Sequence, residues 1–330
     1  MKTLYSSHFF RQTQTAQTAD LFFNGYTDFF NPAVYFLGKP GFVLLELPVY
    51  QYLVAMIARF AHLSLEHSAL LLNMVSMILI LFCFSFLLEE WTEKKQEKKS
   101  IAFLLPLVFS PLLSGVAFWC SIEVFTLALT AASLSCFLLY MKSAKAKPLA
   151  LVGFCMSSAI SLSIKPNHIY ALIPIYFYFL LRYARKATFA RIFVFVISLV
   201  PILALYYFWN AHADKMSSLY ENPFTVKGNL GWYLWGDGPF HLKSLLTLGL
   251  RLCIYVVSPV VLVSTLFLVL VKKIKLIKPV PLCISIILYL ITFSNLNVHH
   301  NYYQLPLVLP FFLLLAPVLL SLPAKLSSWV

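Results

Sequence analysis

Long apolar runs separated by short basic breaks leave this chain few folds to choose from. Runs with few or no charges cover residues 68–88, 101–117, 119–141, 149–164, 168–183, 190–209, 246–271, 279–295 and 305–322. A helix of about 20 residues crosses about 30 Å of hydrocarbon. In lipid every backbone polar group has to be satisfied within the chain, which favours helices over open sheets. The pattern therefore predicts an all-α polytopic membrane protein with about nine transmembrane helices. The 16-residue runs extend into their polar flanks or lie across a thinned region. With 61% hydrophobic and 11% charged residues, an ordinary soluble domain is excluded.

The net charge of +13 would suit a nucleic-acid binder, but the placement of the basic residues argues against one. Sixteen of the 25 Lys and Arg fall in "EEWTEKKQEKKS", "KSAKAK", "RYARKATFAR" and "KKIKLIK", or at Lys325. Short basic loops between spans are retained in the cytoplasm. The alternate breaks are then extracytoplasmic: residues 1–67, the turn near Phe118, "KPN" at 165–167, the loop 210–245 and "NVHHNYYQ" at 297–304. With nine spans the N-terminus lies outside and the C-terminus in the cytoplasm. The expected partner is the lipid bilayer, and no nucleic acid is expected.

Segment 48–64 is apolar, yet it carries Tyr50, Gln51, Tyr52, Arg59 and His62. As a tenth span it would invert every later loop, so it is expected as an interfacial helix on the outer surface. The chain thus divides into a first extracytoplasmic loop with juxtamembrane helices (1–67) and a transmembrane helical domain (68–330). Within 8–23, Phe9, Ala16, Ala19 and Phe23 recur at helical spacing and predict a short helix lying against a cavity. The six cysteines lie in or beside apolar runs without C-x-x-C spacing and are expected to act as small core residues.

Of the 12 acidic residues, Glu89, Glu90, Glu93 and Glu97 share a break with four lysines, which predicts a solvated charge run. The other eight, Asp20, Asp28, Glu46, Glu66, Glu123, Asp214, Glu221 and Asp237, all fall on the predicted outer face. Acid–base chemistry is therefore expected there. Glu46, between "FVLL" and "LPVY", and Glu123, at the start of a long apolar run, sit where a carboxylate is costly unless paired or hydrated. A plain charge at a helix start is the competing explanation for each. Lys165 ends a span and either snorkels to the interface or holds a phosphate. His299 and His300 offer donors for a phosphate, a contact to an acceptor sugar, or a divalent metal site with an outer carboxylate. Tyr302 and Tyr303 beside them suit an interfacial belt as well as a site. Trp232, Tyr233, Trp235 and Asp237, among glycines, suit a sugar surface or an interfacial anchor. No cofactor motif occurs, and neither does a phosphate loop or a nucleophile elbow.

"RQTQTA", "LFFNGYTDFFNP", "ELPVYQYLVAMIARF", "KPN" and "HHNYYQLPLVLP", in that order, resemble the bacterial branch of the GT-C membrane glycosyltransferases. This group is similar to the dolichyl-phosphate-mannose protein mannosyltransferases and the aminoarabinose transferases of lipid A. The resemblance implies a GT-C-like fold in a bacterial inner membrane, active on the extracytoplasmic face. It also implies a polyprenyl-phosphate-sugar donor, a glycan, lipid or protein acceptor, and direct displacement at C1 with inversion. Arg11, Gln12 and Gln14 match the start of the family's first outer loop, Glu46 with Pro48 its end, and Lys165 a basic residue that meets the donor phosphate. The chain departs from the family twice. A leading span is missing, since ten residues precede Arg11, and "RQTQTA" lacks the acid that relatives place there. Glu46 or Asp20 is then the expected base, and Glu123, Asp237, His299, His300, Tyr302 and Tyr303 join Lys165 around the substrate. The alternatives are a transporter or flippase of lipid-linked sugars and a truncated, non-catalytic paralogue.

Overall fold

The computed structural model describes residues 9–35, 41, 46–92, 107, 110–118, 120–142, 148–184, 189–219, 249–256, 263, 279–293 and 301–320. The side chains of Phe9 to Gln12, Ala184, Ala190, Cys253, Asn301 and 316–320 are outside the description. Eleven α-helices fall within the described residues: α1 (Phe9–Asn24), α2 (Val49–Ala61), α3 (Leu65–Thr92), α4 (Pro111–Ala117), α5 (Ile122–Lys142), α6 (Pro148–Ile164), α7 (Pro166–Tyr170), α8 (Ile173–Ala184), α9 (Phe189–Leu219), α10 (Pro279–Thr292) and α11 (Val308–Leu320). A π-helical turn at Leu252–Val256 and a 3-10 stretch at Asn301–Leu307 complete the set.

Among the described residues three helices are long and apolar enough to cross a bilayer: α3, α5 and most of α9. Four shorter apolar helices accompany them, at Val49–Ala61, Pro148–Ile164, Pro279–Thr292 and Tyr302–Leu315. The protein is an integral membrane protein. Of the nine predicted spans, most of 246–271 and about half of 101–117 lie outside the described residues. Apolar side chains such as Met74, Ile78 and Phe82 of α3 and Val200 and Leu203 of α9 are exposed, as lipid-facing positions require. α5 is the inner helix of the three, its apolar stretch mostly covered by neighbours.

α5 and α6 pack closely because small and hydroxylated residues line their contact. Thr130 and Ser161 hydroxyls meet at 2.7 Å, and Ser133 bonds both Ser158 and, at 2.7 Å, the Tyr176 hydroxyl of α8. Such interfaces substitute close approach and interhelical hydrogen bonds for a hydrophobic drive that lipid does not supply. Gly153 marks the tightest point, since a Cβ there would stand 2.8 Å from Cys136 Sγ. A Gly153→Leu change should therefore lower stability by about 1–3 kcal/mol through overpacking. It should be read as a lower unfolding midpoint in detergent, partly recovered by Cys136→Ala; an unchanged midpoint would deny the close contact.

The predicted alternation of helix direction shows in which helix ends meet. The ends of α3, α5 and α8 share one pole: Glu90 pairs with Lys142, accepts from the Tyr183 hydroxyl at 3.0 Å, and its carbonyl accepts from Arg182 at 3.4 Å. Glu90 is only 8% exposed, so it is not part of a solvated charge run. It is the buried acceptor that ties three helix ends together. The starts of α3 and α5 and the ends of α6 and α9 meet at the opposite pole, where Leu72, Ile122, Ile164, Trp209 and Ala213 form one apolar cluster with Leu47, Tyr50 and Ala19.

Both N-terminal helices, α1 and α2, rest on that second pole. α1 is helical as its spacing predicts; of the expected stripe Ala19 is buried, but Ala16 and Phe23 are only partly covered, and the buried face runs through Thr15, Thr18, Ala19 and Phe22. Threonine is buried here because the Thr18 hydroxyl donates to the Ala33 carbonyl at 3.1 Å. The helix ends at Gly25, whose φ of +73° lets Tyr26 N–H reach back to the Leu21 carbonyl at 2.9 Å. Arg59, in the last turn of α2, donates to the Phe22 and Phe23 carbonyls at 2.9 Å each, which explains the basic residue in that apolar segment. α9 continues to Leu219, so the first ten residues of the predicted 210–245 loop are helix. Residues 220–245 lie outside the described residues.

Candidate functional site

Lys165 stands at the junction of α6 and α7, where Pro166 opens the next helix. Its ammonium lies 2.5 Å from Glu123 Oε1, on the first turn of α5, with side-chain exposures of 6% and 1%. The Ser121 hydroxyl donates to the other carboxylate oxygen. The rings of Tyr302 and Tyr303 lie 5.1 and 4.5 Å from the Lys165 nitrogen, within cation–π range. The structure thus gathers Glu123, Lys165, Tyr302 and Tyr303, four of the predicted site residues, from three distant parts of the chain. Lys165 does not snorkel away from its neighbours: it is buried and paired. An ionised group this deep is affordable only with such a partner.

Glu46 reaches the same pole through its backbone. Leu47 N–H donates to the Ser163 carbonyl at 3.0 Å, which stitches the strand-like approach to α2 onto the last turn of α6, two residues before Lys165. The Glu46 carboxylate is half-buried and accepts from Gln51 Nε2 at 3.3 Å. Beneath it Tyr50 is fully buried, donates to Asn73 Oδ1 at 3.2 Å and packs on Phe125 of α5. Local sequence explains the position: proline disfavours a helical residue before it, so α2 starts only after Pro48 and Glu46 remains off the helix.

Asp20 is placed differently. One of its oxygens accepts from the Tyr35 hydroxyl at 2.6 Å and the other from Asn24 Nδ2 at 3.1 Å. The bond to the carboxylate pushes the Tyr35 hydroxyl up to about 12, so Tyr35 stays a donor to Asp20 throughout the neutral range. Gln14 is half-buried on α1. Arg11 and Gln12 fall on the first turns of α1, their side chains outside the description; Asp237, His299 and His300 lie outside the described residues. Among the described residues no three His, Cys, Asp or Glu side chains converge as a metal site would require. Sequence reasoning missed Ser121, Gln51 and His168. His168 is 1% exposed, its N–H bonded to the Lys165 carbonyl at 3.2 Å, and its Nδ1 has no partner among the described residues. Its signal was adjacency to Lys165 in "KPNH".

A bundle of apolar membrane helices with α1 and α2 seated beside a buried ionic site at one pole defines a class of membrane protein, and the chain has the GT-C-like fold. Among solved structures it is similar to ArnT from Cupriavidus metallidurans bound to undecaprenyl phosphate, with a TM-score of 0.65 at 14% identity. The apo state of that protein gives 0.63 at 13%. Both alignments cover 97% of this chain and 56% of the ArnT chain, so this chain spans little more than half of its structural neighbour's length. No protein-family model matches the sequence, and no curated protein matches it.

Proposed function

We propose that the protein is a membrane glycosyltransferase that moves a sugar from a polyprenyl-phosphate donor to an acceptor hydroxyl, with inversion. The observation that carries this is the convergence of Glu46 with the buried Lys165–Glu123 pair at one pole of a fold that, in ArnT, holds undecaprenyl phosphate. The positive-inside distribution supports an extracytoplasmic position for this pole and a cytoplasmic one for the Glu90 pole. Residues 1–67 then form the first outer loop, and residues 68–330 the membrane domain.

In this reading Glu46 takes the proton of the acceptor hydroxyl as its oxygen attacks C1 of the donor sugar. The bond from C1 to the phosphate oxygen breaks, and the electron pair leaves with the polyprenyl phosphate. An ammonium carries three donors and Glu123 engages one, so Lys165 meets the departing phosphate without giving up its partner. Preorganised charge of this kind stabilises the transition state with little reorganisation. Asp20, with both oxygens engaged, is the weaker candidate for base. Arg11, Gln12, Gln14, Asp237, His299, His300, Tyr302 and Tyr303 complete the proposed substrate-binding set.

The test is thermal unfolding of the purified protein with undecaprenyl phosphate or with undecaprenol of equal length. A ligand that binds only the folded state raises the midpoint with concentration. The phosphate form should raise it and the alcohol should not. Equal effects would remove phosphate recognition, and lipid movement across sealed vesicles without any glycosyl product would favour a transporter.

A further inference from the structure

Around Glu46 several polar groups are buried without a partner among the described residues: Gln51 Oε1, Ser163 Oγ and Trp209 Nε1. Each of the three residues is only 4% exposed. Buried polar atoms are nearly always hydrogen-bonded, so three open ones in one neighbourhood call for an explanation. Neighbouring groups in the same region, Tyr50 with Asn73 and Ser121 with Glu123, are matched. The unmatched three are connected. Gln51 donates to Glu46, the Ser163 carbonyl holds Leu47, and Trp209 shares the apolar cluster of Leu47, Tyr50 and Ile164.

We infer that Gln51, Ser163 and Trp209 form a polyol subsite beside Glu46, and that the acceptor is a glycan presenting adjacent hydroxyls rather than a lone serine-type hydroxyl. The inference rests on the glycosyltransferase reading above and narrows its acceptor. Because the Gln51 amide nitrogen faces the carboxylate, its oxygen is the free acceptor. With Gln51 Nε2 3.3 Å from Glu46 Oε1, the carboxylate and Gln51 Oε1 present two neighbouring acceptors to a ligand with adjacent hydroxyls. One hydroxyl gives its proton to Glu46 as it attacks, and the next donates to Gln51 Oε1. The Ser163 hydroxyl and the Trp209 N–H supply donors for further ring oxygens. A lone hydroxyl would leave most of these groups unmatched, and sites built to bond a hydroxyl discriminate strongly against ligands that lack it.

The experiment is a saturation-transfer NMR titration of the full chain in nanodiscs. The probes are methyl α-D-mannopyranoside, methyl α-D-glucopyranoside, the 2,3-dideoxy analogue of each, and N-acetylserine amide. At least one parent glycoside should bind about tenfold or more tightly than its dideoxy analogue and than the serine amide. Gln51→Met should erase that preference. Undecaprenyl phosphate binding, measured on the same samples, reports that the variant is folded. No glycoside binding, equal binding of the serine amide, or an unchanged preference in Gln51→Met would overturn the subsite. If the glycosides bind as expected but undecaprenyl phosphate does not, the polyol subsite stands and the donor reading fails. The reverse pattern keeps the donor and removes the subsite.

Discussion

The Glu46→Gln variant should lose transfer by about 10²–10⁴-fold, the range that a positioned general base contributes. The substitution keeps size and removes only the ability to take a proton. Gln51 would face an amide in place of a carboxylate, a small loss because the existing contact is long at 3.3 Å. Folding and undecaprenyl phosphate binding should therefore persist. The measurement is sugar transfer from extracted lipid-linked donors to membrane acceptors, with the phosphate lipid's thermal shift as the control for folding. Asp20→Asn is the matched comparison. Asp20 already accepts from Tyr35 and Asn24, and its variant should retain most of the rate. A fully active Glu46→Gln enzyme beside an inactive Asp20→Asn enzyme would transfer the base role to α1.

What could be read from sequence followed the range over which each signal acts. Apolar runs and basic breaks are local, so the membrane class, the helices and their alternating direction were legible. The polar residues of α2 stood out as well, and Arg59 and Gln51 turn out to be those that hold α1 and Glu46. Partners were not legible. Lys165 was conspicuous, but Glu123 lies 42 residues away, and no local pattern links them. Glu90 was misjudged because three other glutamates and four lysines surround it in sequence. Its burial depends on Tyr183, 93 residues on. α1 shows the same limit on a smaller scale. Hydrophobicity favoured a stripe through Phe9, Ala16, Ala19 and Phe23; Ala19 is buried, but Ala16 and Phe23 are only partly so, while Thr15 and Thr18 turn inward, Thr18 on a hydrogen bond to the Ala33 carbonyl. Hydropathy treats a threonine as polar whether or not a carbonyl waits to accept from it.

Breaking the Lys165–Glu123 pair should be the most damaging change to stability. Either Lys165→Met or Glu123→Leu alone leaves an uncompensated buried charge, which costs about 3–5 kcal/mol when the partner cannot relax to water. Lys165→Met leaves Glu123 with the Ser121 hydroxyl and Glu123→Leu leaves the ammonium with the Tyr302 and Tyr303 rings, so neither single variant restores the lost partner. The double variant should recover most of the loss, because an apolar pair of similar volume often matches a buried ion pair. Unfolding midpoints of the four proteins in detergent give the coupling directly. Near-additive losses would show that the pair is not a unit. The double variant also separates stability from binding: it should fold, yet show no stabilisation by undecaprenyl phosphate, because the donor that meets the phosphate is gone. If the phosphate lipid still stabilises it, Lys165 serves only to neutralise Glu123, and the phosphate must be held by another cation at that pole.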